Sequence, residues 1–166
     1  MSHQHYPENE DSVANNQRSL KSLERAIAMS QGQFSLILAY SNCAALRRKL
    51  VKQLKELSSV PIRELTLHPS VNTLFTTILT TVAEPPSALM VFGLESVVTI
   101  DELLTATNLV RDEFRKQFPF PIVLWIDDEI LQKMIRLAPD FKNWAATPIR
   151  FDVPKFQAYK RIAITA

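Results

Sequence analysis

Three apolar segments of strand length in this 166-residue chain are each followed at once by polar or acidic side chains. Because ligands of open parallel sheets bind beyond the carboxyl ends of the strands, chemistry is expected at these three positions. Hydroxyl, amide, thiol and carboxylate groups there could bind an anion, hold a cation or activate water. The three groups are Ser41-Asn42-Cys43, Gly93-Leu94-Glu95 and Asp127-Asp128-Glu129.

The first group lies where a phosphate loop would precede a helix. Such a loop has the pattern GxxxxGK[ST], whereas this chain has YSNCAALRRKL over residues 40–50 and only two glycines in total. The start of the helix could still attract an anion through its free amides. The candidate contacts are Ser41, Asn42, Arg47 and Arg48. We therefore predict no cofactor, with ATP and magnesium as the alternative.

The acidic groups are candidates for catalysis and metal binding. Glu95 follows the strand ALMVF as the acid of a Walker B strand does, and there it would hold magnesium or activate water. Asp127 and Asp128 could hold a cation, or they could cap the helix that follows, where acidic residues are favoured. Glu95 is the one candidate catalytic residue, and we otherwise predict a protein that is not an enzyme.

The remaining nucleophilic and metal-ligating residues form no motif. Cys43 is the single cysteine, so no intrachain disulfide is possible and a reducing compartment is expected. No spacing links Cys43 to His68, the one histidine beyond the N-terminal tail, and a Cys–His pair is not predicted. His3 and His5 could bind a metal, but a solvated tail is the simpler interpretation.

The clearest charge feature is a helix over residues 44–57, whose leucines recur on one face. Five cations occupy much of the remaining surface, although the net charge of the whole chain is only +2. They are Arg47, Arg48, Lys49, Lys52 and Lys55. An acidic protein or a nucleic acid could bind this helix, and a solvated face explains the same pattern. No interleaved aromatic residues favour single-strand binding.

The elements that must position these residues alternate regularly. A helix over residues 16–30 is followed by four strand–helix repeats and a fifth strand, which predicts an α/β fold with a mainly parallel, roughly five-stranded sheet in a three-layer sandwich. The predicted strands cover residues 34–40, 62–67, 88–92, 122–126 and 148–154. The predicted helices cover residues 44–57, 71–82, 99–117 and 127–137, the third starting with a capping box from Thr99 to Glu102.

The domain organisation is simple. Residues 1–15 are predicted to be a disordered tail and residues 16–166 a single α/β domain, whose last segment, YKRIAITA, is either a strand or disordered. The N-terminus has no signal-peptide pattern, and no apolar run approaches the roughly 20 residues of a membrane span. We expect a cytoplasmic protein without a membrane partner.

Four stretches carry a resemblance to a known family. They are SLERAIAMSQGQFSLILAYSN, LRRKLVKQL, MVFGLES and PFPIVLWIDDEILQKMIRLAPDFKNWA. Over residues 18–155 the chain resembles the N-terminal P-loop NTPase domain, of AAA+/STAND type, found in large bacterial signalling proteins. The resemblance implies a P-loop NTPase-like fold and a nucleotide-switched, often self-associating regulator.

Because the Walker A residues are absent, we expect a non-catalytic member of this kind that acts as an adaptor or by self-association. The expected contacts with a protein partner are Arg47, Arg48, Lys52, Lys55, Phe141 and Trp144. Two alternatives stay open. One is a weak ATP-binding switch completed in trans, and the other is a nucleic-acid accessory module that uses the basic helix.

Overall fold

The computed structural model describes residues 7–153, with side chains from residue 12 onward. Strands and helices alternate along this part of the chain, as the sequence pattern predicts. The helices are α1 Pro7–Met29, α2 Ala44–Leu57, α3 Leu74–Thr81, α4 Ile100–Leu109, α5 Arg111–Gln117, α6 Asp128–Leu137 and α7 Pro139–Asn143. The strands are β1 Ser35–Tyr40, β2 Arg63–Thr66, β3 Leu89–Phe92, β4 Pro121–Ile126 and β5 Ile149–Arg150.

The five strands form one parallel sheet in the order β2-β3-β4-β1-β5. β1 and β4 pair along their whole length, from Ser35 opposite Pro121 to Tyr40 opposite Ile126. Helices cover both faces, so the predicted α/β three-layer fold is confirmed.

The strand order determines which helices share a layer. The step from β1 to β2 runs toward one edge of the sheet, and the later steps run toward the other edge. Right-handed crossovers therefore place α2 on one face and α3 to α7 on the opposite face. α1 joins α2, because Leu23 of α1 and Leu54 of α2 belong to the same buried cluster. The opposite cluster contains Ile78, Phe114 and Met134.

Helix α1 differs from the sequence prediction. It begins at Pro7, so residues 7–15 are helical where a disordered tail was expected. Proline is well tolerated in the first helical turn. The helix is tied to the strand edge by Asn16, whose side chain exchanges hydrogen bonds of 2.8 and 2.9 Å with the backbone of Asp152. Residues 1–6 of the predicted tail, with His3 and His5, lie outside the described residues, as does the final YKRIAITA segment.

The helix expected over residues 99–117 is divided in two. Val110 departs from helical geometry, with φ −104° and ψ 16°, and α5 then places Phe114 in the core. The predicted capping box is wrong, because the Thr99 side chain makes no capping hydrogen bond. Its ψ of 48° is not the extended conformation that orients a capping hydroxyl.

Two smaller differences occur near the C-terminal end. Residues 139–143, which lie outside the predicted helices and strands, form the short helix α7. Strand β5 pairs only at Ile149 and Arg150, less than the predicted 148–154. In the described part of the chain, no helix combines the length and the apolar character needed to cross a bilayer.

Candidate functional site

A cleft of about 410 Å³ opens between the first half of α2 and the carboxyl ends of β2 and β3. It lies at the edge of the sheet where parallel folds bind ligands. Two arginines of α2 face two carboxylates across it. The cleft is lined by Ala44, Arg47, Arg48, Val51, Glu64, Thr66, Phe92, Gly93, Glu95 and Ser96.

The central contact of the cleft is an ion pair. The Nη1 atom of Arg47 lies 3.0 Å from the Oε1 atom of Glu95, and the Nη2 atom donates to the carbonyl of Ser41 at 2.9 Å. Arg47 is only 6% exposed, whereas the Glu95 side chain keeps 34% of its surface accessible. The candidate anion-binding arginine and the candidate catalytic acid therefore neutralise each other.

The guanidinium of Arg47 also lies over the indole of Trp125, 5.8 Å from the ring centroid. Trp125 belongs to β4, the strand between β1 and β3. Among the described residues, Arg47 Nε and Trp125 Nε1 are buried nitrogens without a hydrogen-bond partner. Arginine over tryptophan is a favourable cation–π arrangement, which helps to hold a charge at this depth.

In the loop from β1 to α2, the side chains of Ser41 and Cys43 accept hydrogen bonds from nearby backbone amides. The Ser41 hydroxyl, fully buried, accepts from the Cys43 amide at 3.3 Å, and the Cys43 thiol caps α2 by accepting from the Leu46 amide at 3.5 Å. The Ser41 amide donates to the carbonyl of Ile126 at 3.0 Å. A phosphate loop instead turns consecutive amides toward the ligand. In this conformation Ser41 does not reach an anion in the cleft.

Asn42 and Asp128 connect this loop to the neighbouring strand end. The Tyr40 hydroxyl donates to Asp128 Oδ1 at 2.5 Å and accepts from Asn42 Nδ2 at 3.0 Å, while Asn42 Oδ1 accepts from the Asp128 amide at 2.9 Å. The carboxylate of Asp128 raises the pKa of Tyr40, and burial of the phenol adds to this. Asn42, predicted as an anion ligand, therefore joins two loops.

Asp127 caps helix α6, which was the predicted alternative to a metal site. Its Oδ1 atom accepts from the Ile130 amide at 2.9 Å at the start of α6. Over residues 12–153, no group of three or more histidine, cysteine or carboxylate residues is arranged to hold a metal ion. Asp127 and Asp128 act on the local backbone and on Tyr40.

Gly93 shapes the loop that presents Glu95. Its φ is +93°, and a Cβ atom there would lie 3.0 Å from the carbonyl oxygen and 3.3 Å from the amide nitrogen of Leu67. The close approach to β2 and the left-handed backbone both require glycine. The glycine therefore allows the 3-10 turn Leu94–Ser96 to begin next to the sheet.

The expected partner contacts separate into surface and core. Phe141 is 1% exposed and packs against Phe114, so it lies in the core and not on the surface where a partner contact was expected; an aromatic residue in a short amphipathic segment suits a core equally well. Trp144 is half-buried, with the Arg115 guanidinium 3.8 Å from its ring centroid. Arg47 is likewise part of the interior, not of the basic face.

The rest of the basic helix is on the surface. Arg48, Lys49 and Lys52 are exposed, and Lys55 pairs with Glu64 of β2 at 2.7 Å. His68 lies on the surface, where its Nδ1 atom meets the Ser70 hydroxyl at 2.7 Å. Cys43 and His68 thus each stabilise a local turn.

Sequence reasoning did not identify two of these relationships, the Arg47–Glu95 pair and the Tyr40–Asp128 hydrogen bond. Both join loops that are far apart in sequence, and the only signal was that each loop follows a buried strand.

Comparison with known proteins adds no family: no family model, no curated protein and no solved structure matches the chain.

Proposed function

We propose that this chain is a non-catalytic, P-loop NTPase-like domain that regulates other proteins by binding them or by self-association. The observation that carries the proposal is the internal pairing of Arg47 with Glu95 at the carboxyl edge of a doubly wound sheet. These two residues are the most plausible anion-binding and catalytic groups of the fold, and they are engaged with each other.

Nucleotide chemistry at this site would require the pair to separate. Arg47 would have to leave Glu95 and the Ser41 carbonyl before its Nη atoms could contact a phosphate. Glu95 would then be an unpaired carboxylate facing a polyanion, which repels it. In the paired state the Glu95 Oε1 atom is not available to hold magnesium or activate water. The arrangement therefore favours a scaffold over a hydrolase.

Two features support the P-loop NTPase-like part of the proposal. The sheet is parallel with helices on both faces. In addition, the helix after β1 contacts the loop after β3, the two positions where the family implied by the resemblance carries its Walker A and Walker B motifs. In this chain the contact is an ion pair.

Exposed apolar side chains on the α3–α7 layer offer a contact surface for a protein. Leu109 is 77% exposed at the end of α4, and Val98 is 79% exposed just before that helix. Beside Leu109, α3 and α4 enclose an apolar hollow of about 90 Å³ that includes Phe75 and Val110. Contiguous exposed apolar surface marks sites of protein interaction, and we propose Leu109, Val110 and this hollow as that surface.

The test combines mass measurement with ligand binding. Sedimentation from low to high micromolar concentration is expected to show self-association that Leu109→Glu abolishes, or a protein partner that Leu109→Glu no longer recovers. Val13→Glu is the control, because Val13 is 51% exposed on α1 in the opposite layer. A monomeric mass with no partner would contradict the proposal.

ATP with magnesium distinguishes the main alternative. Saturating nucleotide at 100 times its Kd stabilises a protein by about 2.7 kcal/mol, which raises the Tm of a domain of this size by roughly 5–10 °C. We expect no change in Tm at millimolar ATP and magnesium. A rise of several degrees would favour a nucleotide-binding switch.

A further inference from the structure

Seven exposed cations lie on the two helices that cover one face of the sheet. α1 and α2 belong to the same layer, and their buried sides share one apolar cluster, so their polar sides face solvent together. We call this the two-helix basic surface. It consists of Arg18, Lys21, Arg25, Arg48, Lys49, Lys52 and Lys55.

The charge of the two helix layers is strongly unequal. α1 and α2 together contain eight cations and five carboxylates, a net charge of +3, and residues 12–29 and 44–57 alone carry +6. The helices α3 to α7 contain six cations and seven carboxylates, a net charge of −1. The overall charge of +2 therefore conceals one strongly positive face, while the acids of α1, Glu8, Glu10 and Asp11, come before residue 12.

The cations of the two layers also differ in how they are paired. In the α3–α7 layer, Lys133 lies 2.6 Å from Asp101, Lys116 lies 3.4 Å from Glu113, and Arg111 lies 3.9 Å from Asp140. On the two-helix basic surface, Lys55 is the one cation with a carboxylate partner among the described residues. Clustered unpaired cations repel each other, so the surface is electrostatically suited to a polyanion.

We propose that the two-helix basic surface binds the phosphate backbone of duplex nucleic acid. Residues 12–29 and 44–57 contain no Phe, Tyr or Trp, so the surface lacks the stacking platform that single-strand binders use. Lysine and arginine contacts to phosphates need no such platform and carry no sequence information by themselves.

α1 and α2 pack directly against each other, so their exposed cations form two neighbouring rows. Packed helix axes lie about 8–10 Å apart, which is between the roughly 6 Å and 12 Å widths of the two DNA grooves. Cations on α1 and cations on α2 can therefore contact opposite sides of a groove. The proposal does not depend on the protein-binding function above, because it uses the opposite face of the sheet.

The experiment is fluorescence anisotropy with three probes: a labelled 24-base-pair duplex, prepared as DNA and as RNA, its single strand, and polyglutamate of similar charge. We expect at least one duplex to bind more tightly than both other probes, with an affinity that falls steeply with salt. Tighter binding of polyglutamate would overturn the proposal in favour of an acidic protein. No duplex binding at 50 mM salt would also overturn it.

Charge reversal on α2 tests the location of the site. Lys49→Glu with Lys52→Glu should reduce duplex affinity at least tenfold and lower the slope of log K against log salt by about 2. The control is Lys116→Glu with Arg136→Glu, which makes the same change of charge in the opposite layer and should alter affinity less than twofold. Equal losses in both double variants would overturn the proposal.

A third variant tests whether both helices take part. Arg18→Gln with Lys21→Gln removes two charges from α1 and should lower the salt slope by about 2 while the circular dichroism melt stays unchanged. Since all the substituted side chains are exposed, the variants are expected to fold. An unchanged affinity and slope would mean that α1 is not part of the site, which contradicts a two-helix surface.

Discussion

Arg47 and Glu95 join the helix after β1 to the loop after β3 across the end of β4, which lies between those two strands. Their Nη1 and Oε1 atoms are 3.0 Å apart, with the indole of Trp125 below the guanidinium. One partner is buried and the other is partly exposed. The pair therefore links three strand ends, and it occupies the place where this fold would be expected to bind a ligand.

Substitution of Glu95 and substitution of Arg47 should lower the free energy of unfolding by different amounts. Glu95→Ala leaves a buried guanidinium without its counter-ion, and we expect a loss of about 1–3 kcal/mol in the free energy of unfolding, moderated by the exposure of Glu95. Arg47→Met leaves a carboxylate that water can solvate and should cost less. Urea denaturation of both single variants and the double variant measures the coupling.

The control for this cycle is the exposed Lys55–Glu64 pair, where Glu64→Ala should cost below about 1 kcal/mol. Additive effects of Arg47→Met and Glu95→Ala would show that the ion pair contributes nothing to stability.

Gly93→Ala should be more destabilising than Gly32→Ala. Both glycines have positive φ, +93° and +78°, so alanine pays a left-handed backbone cost of about 1–2 kcal/mol at either position. At Gly93 the new Cβ would also press on the Leu67 backbone, whereas at Gly32 it would meet no atom within 4 Å. Thermal melts of the two variants measure the difference, and equal Tm values would contradict the close approach.

Tyr40→Phe should change how stability depends on pH. Because Asp128 raises the pKa of Tyr40, the folded protein keeps the phenolic proton after the unfolded chain has lost it. The contribution of this group is therefore complete below about pH 10 and is lost as the pH rises through the folded-state value. We expect the free energy of unfolding of Tyr40→Phe to be about 1–2 kcal/mol lower than that of the natural protein at pH 7, and the two values to approach each other at higher pH.

Urea midpoints measured from pH 7 to pH 11 test this prediction. A difference between the two proteins that stays constant over the whole range would mean that the hydrogen bond to Asp128 does not influence the titration of Tyr40.

Phe141→Ala should destabilise the folded protein, because Phe141 is a core residue. Phe141 is fully enclosed against Phe114 and Trp144, and removing such a ring costs about 3–5 kcal/mol. Val98→Ala is the control, since Val98 is 79% exposed and should change stability by less than about 0.5 kcal/mol. A Phe141→Ala protein as stable as the control would place the ring outside the core.

The sequence by itself determined the layers of this protein. Continuous apolar runs of strand length, such as residues 34–40 and 122–126, are typical of the middle of a covered sheet, and the leucine stripe of residues 44–57 specifies one inward face. The helix cap at Asp127 was also predictable from the sequence, because a capping hydrogen bond joins residues only three positions apart. Local patterns of this kind depend on neighbours in the chain.

Only the tertiary structure decided which of the five cations on α2 lies in the interior and what it contacts. Arg47 and Glu95 are 48 residues apart, and they meet because β1, β4 and β3 run parallel, so that the elements after β1 and β3 lie at one edge of the sheet, on either side of the end of β4. Strand order depends on packing over the whole sheet, which no local periodicity encodes. The burial of a charge, and hence the character of this site, was decided at that level.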